Sequence, residues 1–359
     1  MPADFFSEIC DGATPPNFFF FDGSGWKASA SGKTVPVISP IDGTEVGTLP
    51  QVTHEEIDSV LSSASIAQSA WEATPLNKRV GIVHLAADWI RHYQDYLIAL
   101  LVREVGKSAD EAKGEIVRTA DLIDYFADEV QSIQGMTLDS DNFPGFEKGR
   151  IAMIERVAYG TVLAIAPFNY PVNLTASKIV PALLMGNSVV VKPPTQGGIS
   201  ASHLVRIFQK AGVPAGVIAT VTGSGEVIGD YVVSHPLVSM VAFTGSSDTG
   251  IAIAGKTGMK PLLFECGGNN PVVVMPDADM GVAAREIIKG AFAYSGQRCT
   301  GIKYVLTTPA IREQLVTLVV KTMPEMVNAG DPRSPETKLV GPVISQDAAK
   351  RIEEAIVSS

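Results

Sequence analysis

The hydrophobic positions change period along the chain. From Thr53 to about Ile133 they recur three and four residues apart, the repeat of helices with one apolar face. Thr53 and Glu56 form a T-x-x-E capping box that predicts a helix to about Trp71. Pro75 opens a second helical region, in which Val83, Leu85, Ala86, Trp89, Ile90 and Tyr93 repeat at helical spacing. A third long helix is expected from about Ser108 to Ile133. Within it Arg118, Leu122 and Tyr125 lie at i, i+4 and i+7 and share one face. An arginine so placed is ordinarily a snorkelling stem with a wet head.

On either side of this helical block the period shortens. Residues 17–50 read as an opening hairpin, with a β-type run at Phe18–Phe21, turn chemistry at Asp22-Gly-Ser-Gly25 and weak alternation over Thr34–Ile38. After Gly135, the turn-rich Asp139-Ser-Asp-Asn-Phe-Pro-Gly-Phe146 precedes an alternating stretch, Arg150–Val157, so residues 136–157 read as a hairpin excursion of the oligomerisation type. From Gly160 apolar runs at Val162–Ala166, Ser188–Val191, Val217–Val221 and Ser239–Phe243 each end in a polar turn and lead into a helical stretch. Such alternation predicts a doubly wound α/β fold with a Rossmann-like parallel sheet. Further strands are expected at Pro261–Glu265, Pro271–Val274 and Tyr304–Thr307, with helices at Asp277–Ala293, Ile311–Met323 and Gln346–Val357.

Composition narrows the class. The chain has 359 residues, 46% hydrophobic and 18% charged, enough apolar material for a large core and, by length, two domains. A formal net charge of -10 argues against a nucleic-acid or anionic-membrane surface. Cys10, Cys266 and Cys299 are odd in number and widely spaced, which fits a reducing cytosol and requires no metal site. Met1 to Ile9 has no basic region followed by a long apolar core, and Phe18–Phe21 is too short to span a bilayer, so a cytoplasmic protein is expected.

In doubly wound sheets ligands sit beyond the carboxyl ends of the strands, so the polar turns carry the candidate chemistry. Cys299 lies in Phe292-Ala-Tyr-Ser-Gly-Gln-Arg-Cys-Thr300, a polar turn straight after an apolar helix pattern. A lone cysteine is by default inert packing, but a partly exposed thiol in a polar turn suits a nucleophile. Glu265 ends an apolar strand and is either a salt-bridge partner or a general base. Asn169 sits in the Pro-bounded turn Pro167-Phe-Asn-Tyr-Pro171, where its amide could donate to an oxyanion. Thr244-Gly245-Ser246 offers an N-cap beside exposed backbone N–H groups, a phosphate seat, and Lys192 puts a cation on the same sheet edge. Gly223-x-Gly225-x-x-x-Gly229 is a weak dinucleotide signal, because tight turns need glycine anyway. A Cys–His hydrolase is disfavoured, since none of the five histidines lies in a turn beyond a core strand.

With these motifs in hand, the chain resembles the aldehyde dehydrogenase superfamily. Pro167-Phe-Asn-Tyr-Pro171, Lys192-Pro-Pro194, Phe243-Thr-Gly-Ser246, Phe264-Glu-Cys-Gly-Gly268 and Ser295-Gly-Gln-Arg-Cys299 occur in the family's order, with 34 residues (299 − 265) from Glu265 to Cys299. Within it the chain is most similar to non-phosphorylating glyceraldehyde-3-phosphate dehydrogenases, through Asn169–Lys178, Lys192–Gln196, Ile116–Ala120 and Tyr294–Thr300. The resemblance implies a dinucleotide-binding domain from residues 1–135 and 158–265 and an incomplete α/β catalytic domain from residues 266–359. It implies an aldehyde substrate, a Cys299 nucleophile, an oxyanion held by Asn169, and Glu265 as the base of thioester hydrolysis. Arg118, Tyr170 and Arg298, with Thr300 beside them, would hold the substrate phosphate, which two guanidiniums and a phenol suit. Lys192, Thr195, Thr244, Gly245, Ser246 and Gly225 would hold the cofactor. NAD-preferring relatives often carry a carboxylate three positions after the lysine; here Thr195 is neutral, so NADP is expected over NAD. The full-length family member would be a homo-oligomer, a tetramer.

Two kinds of departure stand out. Cys266 and Asn269 replace the usual leucine and lysine, and Gly-Gly-Asn-Asn-Pro271 also resembles succinylglutamate-semialdehyde dehydrogenases, another acidic-aldehyde class. The family also continues well past residue 359 and carries a Glu-x-Phe-Gly-Pro motif not found here, so poor solubility, weak activity or a silent nucleotide-binding relative is a competing expectation.

Overall fold

The computed structural model describes residues 5–133, 135–140, 144–145 and 149–357. Two antiparallel ribbons come first: β1 (Phe20–Phe21) with β2 (Trp26–Lys27), and β3 (Thr34–Ile38) with β4 (Glu45–Pro50). Helices α1 (His54–Glu72), α2 (Leu76–His92), α3 (Gln94–Val105) and α4 (Ala109–Glu129) follow. The capping boxes explain two of the starts. Thr53 Oγ1 accepts the Glu56 N–H at 3.2 Å and Glu56 returns the bond at 2.8 Å. Ser108 and Glu111 repeat the device at α4. Caps of this kind are worth about 1 kcal/mol each.

Helix α3 is absent from the sequence reading. The apolar repeat runs through Tyr93, but the backbone there leaves the helical region (φ −100°, ψ 17°) and re-enters it at Gln94. The helix ends at Gly106, left-handed at φ 69°, the usual helix-ending glycine. The hairpin excursion consists of β5 (Met136–Asp139) paired antiparallel with β6 (Ile151–Ile154). Within the expected turn at its tip, residues 141–143 and 146 lie outside the described residues.

The main sheet is wholly parallel. It holds β7 (Thr161–Ile165), β8 (Ser188–Lys192), β9 (Ile218–Thr220), β10 (Met240–Thr244) and β11 (Leu262–Glu265), in the spatial order β11-β10-β7-β8-β9. Read from β9 this is the strand order of a dinucleotide-binding sheet, reversing its winding between β7 and β10. The intervening helices are α5 (Asn173–Leu184), α6 (Gly198–Ala211), α7 (Gly225–Ser234) and α8 (Ser247–Thr257). All of β7 and β8 is buried, between one apolar cluster that includes α2, α5 and α6 and another that includes α1 and α7. A continuous Val/Ile/Leu run is what a strand covered on both faces requires.

A separate two-stranded parallel sheet joins β12 (Asn270–Val274) and β13 (Ile302–Thr307). It packs with α9 (Met280–Phe292) and α10 (Pro309–Met326) around Val274, Ile287, Ile311 and Leu315. The last helix, α11 (Gln346–Val357), has no buried residue. Among the described residues no helix is long and apolar enough to cross a membrane.

Candidate active site

Beyond the carboxyl ends of the main sheet lies a cleft of about 960 Å³. Asn169 follows β7, Thr195 follows β8, and Thr244, Gly245 and Ser246 close β10; all five line it. Glu265 at the end of β11, and Arg298 and Cys299 from the loop between α9 and β13, line it too. Ala348, Arg351, Ile352 and Ala355 on α11 also line it. The winding reversal between β7 and β10 makes this opening, because the loops after the two strands diverge there.

The loop that carries Cys299 is strained. Tyr294, Ser295 and Gly296 are consecutive left-handed residues, at φ 51°, 54° and 72°. The first two cost roughly 1–2 kcal/mol each, because Cβ crowds the following carbonyl. The turn persists because it is held from several sides. Ser295 N donates to Leu339 O at 3.0 Å, and Ser295 Oγ donates to Gly341 O at 2.8 Å. The Tyr294 hydroxyl donates to Val105 O at 2.7 Å. Asn270 Nδ2 donates to the Cys299 carbonyl at 2.6 Å and to Gly301 O at 3.0 Å. Cys299 itself is exposed, and none of the three cysteines is in a disulfide.

Asn169 is tied to this loop directly. Its Nδ2 donates to Gln297 O at 2.8 Å, while its Oδ1 is buried without a hydrogen-bond partner. An amide nitrogen has two hydrogens, and one of them joins the two loops. Glu265 is an exposed carboxylate. Its electrostatic partner was missed in the sequence: Lys178 of α5, only 5% exposed, whose amine burial pushes down to about 8 while Glu265 pulls it back up. Lys178 Nζ donates to Thr244 Oγ1 at 2.6 Å. The signal was the one charged side chain in the helix Asn173–Leu184.

Of the residues expected to hold the cofactor, Ser246 is the N-cap of α8, its Oγ accepting Thr249 N–H at 3.2 Å. Lys192 is buried at the end of β8, its Nζ donating to Pro193 O at 3.3 Å, and desolvation pushes its amine down to about 8. Gly225 opens α7, and neither it nor Lys192 lines the cleft.

Of the residues expected to hold the substrate, Arg298 lines the cleft, and Arg118, Tyr170 and Thr300 do not. Arg298 Nη2 donates to Thr300 Oγ1 at 3.4 Å, and Arg298 Nε is buried without a partner. Burial raises the Tyr170 phenol above its usual value, while Arg298 and Arg118 both act to lower it, so the three are electrostatic neighbours. Arg118 folds back over Gly114 on its own helix. The face it shares with Leu122 and Tyr125 is the solvent side of α4, Tyr125 being 59% exposed; the packed face carries Ala112, Ile116, Ala120 and Ile123. Thus the arginine shares its face with an exposed tyrosine and a half-buried leucine rather than with core.

Known proteins place this arrangement. Residues 26–359 match the model of the aldehyde dehydrogenase family. The chain is 42% identical over 356 residues to the NADP-dependent glyceraldehyde-3-phosphate dehydrogenase of Triticum aestivum, covering 99% of this chain and 70% of that protein. It is 42% identical to the enzyme of the same name from Streptococcus equinus, covering 92% of this chain and 68% of that one. The NADP-dependent glyceraldehyde-3-phosphate dehydrogenase of Bacillus halodurans C-125, solved in complex with NADP, superposes at a TM-score of 0.91 with 39% identity, over 95% of this chain and 71% of that one. With the parallel sheet in dinucleotide-binding order and the thiol, amide and carboxylate on one cleft, the chain belongs to the aldehyde dehydrogenase family.

Proposed function

We propose that the chain catalyses NADP-dependent oxidation of glyceraldehyde 3-phosphate to 3-phosphoglycerate, without incorporating inorganic phosphate. The observation that carries this reading is the convergence of Cys299, Asn169 and Glu265 on one cleft. Cys299 Sγ attacks the aldehyde carbon as a thiolate, and the oxyanion of the thiohemiacetal is met by Asn169 Nδ2 and the Cys299 backbone N–H. Glu265 then takes a proton from the water that hydrolyses the thioester. Arg298, Tyr170 and Arg118 bind the phosphate dianion, where guanidinium groups provide paired, charge-assisted donors.

NADP, when bound, supplies the hydride acceptor. The residues fit it: Lys192 is a buried ammonium with only a carbonyl for a partner, the α8 N-terminus at Ser246 offers an anion seat, and Thr195 puts no carboxylate against a 2′-phosphate. NAD is the weaker cofactor on this reading. The exposed apolar side chains of the β5–β6 hairpin, Ile151 and Met153 among them, support a homo-oligomer, and three cysteines outside any disulfide support a reducing cytoplasm.

The test mixes the protein with NADP and glyceraldehyde 3-phosphate, without phosphate, and follows absorbance of the reduced cofactor. Turnover several-fold more efficient than with NAD is expected. Turnover of a different acidic aldehyde, such as succinylglutamate semialdehyde, with none of the phosphorylated one, would replace the substrate.

A further inference from the structure

One turn of α4 touches both loops of the candidate site. Glu111 and Glu115 lie four residues apart and so project from one helix face. Glu111 Oε1 accepts the Tyr294 N–H at 2.6 Å, at the start of the left-handed turn before Cys299. Glu115 Oε1 accepts the N–H groups of Val172 and Asn173 at 2.9 and 3.0 Å, just beyond Asn169 and Tyr170. The other Glu115 oxygen bonds Lys107 Nζ, and both side chains are fully buried. The Lys107 ammonium lies 3.7 Å from the Tyr170 ring centroid and 4.9 Å from that of Tyr294. One cation thus touches one aromatic from each loop, and two carboxylates on one helix turn hold the backbone of each.

Stability alone does not call for this chemistry. A buried ion pair loses much of its attraction to desolvation, and well-packed apolar residues of the same size commonly serve as well or better. What charge adds here is direction: carboxylates that accept specific N–H groups and a cation that fixes two ring planes. The left-handed residues at Tyr294 and Ser295 need such restraint, because each would relax without it.

We infer that Lys107, Glu111 and Glu115 are positioning residues that set the separation between the Asn169–Tyr170 loop and the Cys299 loop. They thereby set both the approach of the amide donor to the thiol and the shape of the anion pocket at Tyr170. The inference rests on the reading of Cys299 as nucleophile, and it deepens that reading.

The test uses the full chain with Lys107→Met, Glu115→Gln and Glu111→Ala. Cys299 is alkylated with iodoacetate, an anion, and with iodoacetamide, its neutral counterpart, and Cys299 modification is read by peptide mass spectrometry. Thermal melting is followed alongside, as are kcat and KM for glyceraldehyde 3-phosphate and an uncharged aldehyde. The variants are expected to lower the iodoacetate-to-iodoacetamide rate ratio at Cys299 by about tenfold and to raise KM for the phosphorylated aldehyde by a similar factor, with a much smaller change for the uncharged one. A lowered melting temperature with an unchanged ratio overturns the inference. If the two fully buried sites yield no folded protein, Glu111→Ala, at a half-buried position, decides it. A ratio that falls while the parent chain oxidises no aldehyde keeps the positioning role and removes the proposed function; turnover with an unchanged ratio does the reverse.

Discussion

The five-stranded sheet and the β12–β13 pair are both parallel and both written in apolar runs, yet they differ in cover. Every residue of β7 and β8 is buried, with helices on both faces. In the smaller sheet Val273 is 62% exposed, and Tyr304, Val305 and Leu306 are also exposed. Its core is a single small cluster around Val274 and Leu315. Parallel strands are stable when both faces are covered, so the larger unit holds the stability of the chain while the smaller one presents apolar surface. The candidate chemistry straddles them: Asn169 belongs to the well-packed unit, and Cys299 to the loop leading into the exposed one.

That division can be broken experimentally. Cys299→Ser should lower hydride transfer roughly 10³-fold or more while leaving the melting temperature unchanged, since the side chain is exposed. Glu265→Ala should lower steady-state turnover about 10²–10⁴-fold and still allow one burst of reduced cofactor per site. Unchanged steady-state rates would remove Glu265 from the role of base.

The next effect is in stability. Leu163→Ala in β7, at a fully buried side chain, should cost about 2–5 kcal/mol in denaturant unfolding. Leu306→Ala in β13, at 52% exposure, should change it by about 0.5 kcal/mol or less. Equal costs would mean that the smaller sheet is covered in solution and that the contrast in packing is false.

The smallest effect is in pH. The Lys192 amine lies at about 8 in the folded chain against an ordinary 10.5, so the folded state binds fewer protons than the unfolded chain between those values. Its burial penalty is therefore complete below about pH 8 and is relieved as pH rises towards 10.5, and stability should rise across that window. Binding of the 2′-phosphate needs the protonated amine, so the dissociation constant of NADP should rise about tenfold from pH 7.5 to pH 9, with that of NAD nearly flat. Parallel pH curves for the two cofactors would exclude Lys192 from the phosphate site.

Most strands and helices could be read from local pattern. The Thr53 and Ser108 boxes start their helices where expected, and the run at Gln346–Val357 is helical over the full expected span. Helix α3 was not legible, because the break at Tyr93 interrupts no apolar repeat. Strand β4 was also missed: Glu45–Pro50 carries glycine and proline and is defined by its pairing with β3. In the site, Asn169, Glu265 and Cys299 could be found because each ends or follows a core element. Glu115 and Asn270 could not, since their partners lie far along the chain: Glu115 bonds Val172, and Asn270 bonds the Cys299 carbonyl.

The order of apolar runs and polar turns determined, by itself, that this chain would wind parallel strands and present its polar turns at one sheet edge, because hydrophobic period and turn chemistry act over a few residues. Burial was decided only in three dimensions. Leu163 and Leu306 are leucines in predicted strands alike, and only the cover of helices on both faces makes the first core, while the second stays 52% exposed. The left-handed turn before Cys299 was likewise a tertiary decision. Its strain is offset by Leu339, Gly341, Val105 and Glu111, distant in sequence, which supply the hydrogen bonds that no local segment contains.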